Sequence, residues 1–152
     1  MKTKLLISAV ALGLGMAGVA HATDTNTLAV SATVLNACGF EFPGATHNLA
    51  FGNLDPTSTA DATATVNIKY WCTVGTAASI LPDGGLHNSG GPRLSNGTNF
   101  IPYALTLTGN TGTGAGKMSM LTMTATGTIA NSNYVNAPVG SYTDTVVLTL
   151  TP

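Results

Sequence analysis

The sequence predicts an all-β protein: one antiparallel sandwich of about seven short strands. Three observations lead there. Apolar and polar residues alternate with a period of two in segment after segment, most cleanly over residues 62–72 and 140–150. Clusters of Gly, Asn, Asp and Pro separate these segments at short intervals. Beyond residue 22 no stretch carries an apolar stripe of helical period, and the composition leans on Thr, Gly and Asn, which are weak helix formers.

The first twenty-two residues are a separate matter. Lys2 and Lys4 precede an apolar run, and Ala20-His21-Ala22 is a small-x-small cleavage triplet. This is the pattern of a secretory signal peptide removed after Ala22. An uncleaved membrane anchor is the alternative, disfavoured because the run is short for a span. Residues 23–152 are one domain's length. They hold Lys69, Arg93 and Lys117 against Asp24, Glu41, Asp55, Asp61, Asp83 and Asp144, a net charge of −3. A nucleic-acid or anionic-lipid partner needs a basic footprint, which this chain lacks. Only 7% of residues are charged, against a usual share of about a quarter, as suits an extracellular β-protein surfaced with Thr and Asn.

Residues 23–36 alternate, with Leu28, Val30, Ala32 and Val34 on one parity. That is a strand with one apolar face, either an ordinary first strand of the sandwich or a segment free to pair elsewhere. Cys38 opens a short alternating segment that ends in the turn at Pro43-Gly44, and residues 47–54 form a weak strand around Leu49 and Phe51. Residues 62–72 place Ala64, Val66, Ile68, Tyr70 and Cys72 inward. Cys38 and Cys72 are the two cysteines, and an even count in an exported chain reads as one disulfide. Residues 77–81 are a further strand, and residues 82–97 are a loop with Arg93-Leu94 touching down on the body. Residues 100–108 form a strand with Pro102 near its start, which suits an edge. Residues 110–116 are a turn-rich connection, residues 118–129 the next strand, and residues 131–138 lead to the last one. There Tyr142, Val146, Leu148 and Leu150 share the inward parity and the threonines share the other. This closing strand wants a neighbour on each edge, and nothing after it supplies one.

Nothing in the sequence builds a catalytic centre. The acids are scattered, and His47 and His87 fall in loop or weak-strand sequence, where a solvated role is expected. No nucleophile elbow, zinc-protease motif, P-loop or dinucleotide fingerprint occurs. The spacing of Cys38 and Cys72 does not suit a metal site, and Met118, Met120 and Met123 are expected to fill core. Trp71 points away from the core parity, either as a carbohydrate platform or packed under a loop. No enzyme activity, cofactor or metal is called for.

Several features together carry a family resemblance. They are Cys38, Phe51-Gly52, Ile68-x-Tyr70-x-Cys72-Thr73-x-Gly75, Arg93-Leu94, Pro102-Tyr103-x-Leu105, Gly127-x-Ile129 and the run Val139-Gly140-Ser141-Tyr142-Thr143-Asp144-Thr145-Val146. The chain from residue 23 onward resembles the spore coat protein U domain family, which includes the major subunit of archaic chaperone–usher pili. The resemblance implies an incomplete immunoglobulin-like antiparallel β-sandwich, completed by a donor strand from another molecule. It divides the chain into a signal peptide (1–22), a donor-strand extension (23–37) and a pilin domain (38–152). It assigns Leu28, Val30, Ala32 and Val34 to the donor strand and Val146, Leu148 and Leu150 to the acceptor groove. The Cys38–Cys72 pairing fits the family's pattern, while the ending Leu150-Thr151-Pro152 departs from it, since relatives commonly finish on an aromatic residue.

The implied partners are a periplasmic chaperone, an outer-membrane usher and further copies of the chain, joined head to tail. The implied product is a pilus exported through the periplasm to the cell surface, for adhesion or biofilm. The fibre's own surface or glycan receptor is left open. The alternatives are a secreted adhesin or lectin-like binding module, and a spore-coat or matrix protein built on the same domain.

Overall fold

The computed structural model describes residues 23–152; the expected signal peptide, residues 1–22, lies outside the described residues. The chain divides into two units, Met1–Thr33 and Val34–Pro152. In the first, residues 23–33 carry no regular secondary structure, and Leu28 and Val30 are each 85% exposed.

The second unit is a two-sheet antiparallel sandwich. Its elements are β1 (Cys38–Phe40), β2 (Ala62–Cys72), β3 (Ala77–Pro82), β4 (Arg93–Ser95), β5 (Phe100–Pro102), β6 (Ala104–Thr108), β7 (Thr111–Thr113), β8 (Leu121–Ile129), the single-turn α1 (Asn131–Tyr134) and β9 (Leu148–Thr151). One sheet runs β1-β2-β8-β6 and the other β7-β3-β9, with β4-β5 a separate ribbon. The inward parity of β2 meets that of β3 and β8, so Ile68, Tyr70, Cys72, Ile80 and Met123 form the buried centre, with Leu148 and Leu150 packed against it. A second cluster under the ribbon and α1 gathers Ile101, Tyr103, Ile129 and Tyr134. Cys38 and Cys72 face each other across β1 and β2 and form a disulfide.

Several expected elements take a different form. The segment 47–54 is not a strand, although Leu49 and Phe51 are half-buried as its alternation requires; a strand exists only with a ladder partner, and it has none among the described residues. The strand expected over 100–108 breaks at Tyr103. Pro102, which has no N–H to offer a ladder, is the last residue of β5; β5 pairs with β4, whereas β6 pairs with β8. The connection 110–116 contains β7, and β8 begins at Leu121 rather than residue 118. Met123 is fully buried, but Met118 is 97% exposed and Met120 also reaches solvent, so the core-filling reading holds for Met123 alone. Trp71 lies on the outer face against Gly39, where a Cβ would sit 3.1 Å from the indole nitrogen, with the Lys117 ammonium over its ring.

The closing strand is ladder-paired only over β9. Upstream, its exposed-parity residues bond to the long loop one by one. Thr143 exchanges two backbone hydrogen bonds with Ser95, the Thr145 carbonyl accepts from Leu86 N–H, and the Val147 carbonyl accepts from Asp83 N–H. The other parity behaves as expected: Tyr142, Val146, Leu148 and Leu150 are half-buried, while the alternating threonines are exposed.

Candidate functional site

Period-two geometry makes the closing strand one-sided. Because residues 143, 145 and 147 turn their backbone groups toward the loop and β3, residues 144, 146, 148 and 150 turn theirs the other way. Among the described residues, β9 has no second sheet neighbour and Val146 makes no backbone–backbone hydrogen bond. Facing this edge is the segment of residues 46–54, which likewise makes no backbone–backbone hydrogen bond among the described residues. Polar backbone left this way is normally paired or wet. Between the two edges lies an open groove of about 580 Å³, lined along one wall by residues 44–49 and Phe51 and along the other by residues 144–148.

The groove floor is apolar, and its depth follows from the sequence of β8. Inward positions there run Leu121, Met123, Ala125, Gly127 and Ile129, so the side chains shrink in the middle. Ala125 lies between Val66 on β2 and Leu107 on β6, and this row forms the floor. At Gly127 the floor is capped by the opposite wall, since a Cβ there would lie 2.6 Å from both Leu49 Cδ2 and Phe51 Cζ. Phe51 in turn meets Tyr103 edge-on at 6.1 Å. An adjoining cavity of about 670 Å³ extends the groove past Asp144 toward Ile101, Tyr134 and Tyr142.

At the junction of the two cavities stands a carboxylate. The Asp144 side chain is only 2% exposed and shares the inward parity of Val146. The Tyr103 hydroxyl donates to its Oδ2 at 2.8 Å, while His87 supplies its N–H at 3.2 Å and its ring Nδ1 at 3.1 Å to Oδ1. Burial first, then the hydrogen bond and charge of Asp144, push the Tyr103 hydroxyl well above the usual phenol range, so it remains a donor. His87 is therefore half-buried and structural, not the solvated loop histidine its sequence context suggested, and Arg93 Nε donates to its carbonyl at 2.9 Å.

Of the residues that the resemblance assigns to an acceptor groove, Val146 and Leu148 line this groove; Leu150 does not, and packs with Leu148 against the buried centre. Leu49, Phe51, Val66, Leu105, Leu107 and Ala125 also line it and were not singled out. For Val66, Leu105, Leu107 and Ala125 the signal in the sequence was the inward parity of three strands, and for Leu49 and Phe51 it was the alternation within residues 47–54.

The fold is an antiparallel sandwich in which two edges facing one groove lack backbone partners among the described residues. The chain belongs to the Spore Coat Protein U domain family, whose model matches residues 24–149. Its fold is similar to a chain in the crystal structure of a CsuC–CsuE chaperone–tip adhesion subunit pre-assembly complex, from the archaic chaperone-usher Csu pili of Acinetobacter baumannii. That match has 19% sequence identity and a TM-score of 0.51, and it covers 78% of this chain and 40% of that one. The chain thus spans well under half the length of that structural relative. Comparison with curated protein sequences finds no match.

Proposed function

We propose that this protein is a structural subunit of a chaperone–usher surface fibre and that it polymerises by donor-strand exchange. The observation that carries the reading is the groove itself: an apolar trough bounded on both sides by backbone that is unpaired among the described residues. An added β-strand satisfies both features at once, because its main chain bonds to the edges while alternate side chains drop into the trough. Residues 25–35 have the right pattern for that strand, with Leu28, Val30, Ala32 and Val34 on one parity. Burying these four contributes on the order of 5–8 kcal/mol before ordering costs.

Supplied by the next copy of the chain, the strand makes a heterologous head-to-tail contact, which extends into a filament instead of closing. Before assembly the trough must be covered, since an open apolar edge invites aggregation. A periplasmic chaperone fills that role in this reading, and an outer-membrane usher is where the exchange takes place. The N-terminal pattern of residues 1–22 supports export, and a surface fibre for adhesion or biofilm is the product.

The test is deletion of residues 23–35. The parent chain should run on an unboiled denaturing gel as a ladder that collapses to monomer on heating. The truncated chain should still form a complex with its chaperone yet contribute no ladder. Long fibres built from the truncated chain would overturn the mechanism.

A further inference from the structure

Residues 35–37 join the proposed donor segment to β1. Three successive residues ahead of β1 are fastened to the turn that follows β2. The Thr73 hydroxyl oxygen accepts the Ala37 N–H at 3.2 Å, and its own proton points to the Leu35 carbonyl at 3.2 Å, with the Ala37 carbonyl at 3.3 Å as the alternative acceptor. Thr73 N–H donates to the Ala37 carbonyl at 2.8 Å. The hydroxyl of Thr76, itself buried, donates to Asn36 Oδ1 at 3.3 Å. The next residue is Cys38, tied covalently to Cys72.

The turn that holds these residues is itself held. Thr76 N–H bonds back to the Thr73 carbonyl, and Gly75 between them has φ of +82°, where a side chain is strained. Gly75 N–H donates to the Gly114 carbonyl at 2.9 Å, and Gly114 N–H donates to the Thr76 carbonyl at 2.8 Å. Gly114 approaches so closely that a Cβ on it would lie 2.4 Å from the Thr73 carbonyl.

Resting on the proposed donor-strand assembly, we infer that Thr73 is a positioning residue that sets the angle between successive subunits of the fibre. Val34, the last groove-filling residue of the donor, stands next to clamped Leu35. A flexible linker lets its ends wander by about 5–6 Å times the square root of its length, and here no residue is left between donor strand and clamp. Leu35, the residue at which one subunit's arm leaves its body, is therefore held to that body by the Thr73 contacts. Loosening them should leave the groove contact intact and free the hinge.

The experiment compares Thr73→Val, which removes the hydroxyl and keeps the shape, with Thr73→Ser, which keeps the hydroxyl. In the monomeric subunit, residue-resolved hydrogen exchange should show the Ala37 amide exchanging about five- to tenfold faster in Thr73→Val, with protection restored in Thr73→Ser. In electron micrographs, Thr73→Val fibres should show a broadened distribution of angles between neighbouring subunits, while their heat-labile ladder matches the parent's. An unchanged Ala37 exchange rate, or the parental angular distribution in Thr73→Val fibres, overturns the inference. Should Thr73→Val not fold, the parent alone decides: an Ala37 amide no better protected than that of Val34 refutes the clamp. A parent that forms no fibre defeats the donor-strand reading instead, and the exchange measurement still judges the clamp.

Discussion

Substituting Val30 by Asp tests the donor assignment with the body of the subunit untouched. Val30 is 85% exposed, so the change removes no core packing, and the melting temperature of the monomer should not move. In the groove the consequences are large. Burying a valine contributes about 2 kcal/mol, and that is lost. A carboxyl set over the apolar row of Val66, Ala125 and Leu107 meets no lysine or arginine among the lining residues, and burying it there costs roughly 2–3 kcal/mol more. The sum of about 4–5 kcal/mol removes most of the 5–8 kcal/mol estimated for the whole strand and corresponds to roughly a thousandfold loss of occupancy. The assay is the unboiled gel, with Ser31→Asp as the control. Ser31 has the opposite parity, and a surface substitution there should cost less than about 0.5 kcal/mol. Val30→Asp should abolish the ladder and Ser31→Asp should keep it. A full heat-labile ladder from Val30→Asp, or equal damage from both variants, refutes the reasoning, because either result means that the alternation of this segment does not select its buried face.

Removing the Cys38–Cys72 disulfide, by Cys38→Ser together with Cys72→Ala, should lower stability by about 3–4 kcal/mol for a loop of 34 residues, read as a lower urea midpoint. Asp83 gives a pH dependence of definite sign. Hydrogen bonds from Gly85 N–H, then from Val147 N–H, hold its carboxyl below the usual value. A carboxylate with a depressed folded pKa stabilises above its unfolded value and loses that contribution as pH falls through the folded one. The parent should therefore lose stability below about pH 4. Asp83→Asn should lose less between about pH 6 and pH 3, as measured by thermal melts across that range.

The alternation of single segments was enough to determine much of this protein. Because neighbouring side chains on a strand point to opposite faces, the sequence marked β2 to the residue, put Cys72 and Ile68 inside, and gave the buried parity of Tyr142, Val146 and Leu148. The same rule puts Leu28, Val30, Ala32 and Val34 on one parity, yet in the structure all four are exposed and no strand forms there. What alternation does not contain is which edges meet. Residues 46–54 became a groove wall, not a strand, because their partner position is empty among the described residues, and that is a fact about the whole sheet order. The depth of the trough arises where Val66, Ala125 and Leu107 line up across three strands. The Asp144 cluster joins residues 41 and 57 positions apart along the chain, and the Thr73 clamp reaches back 36 and 38. Hydrogen bonds of that range depend on where the backbone turns in space, so only the tertiary structure decided them.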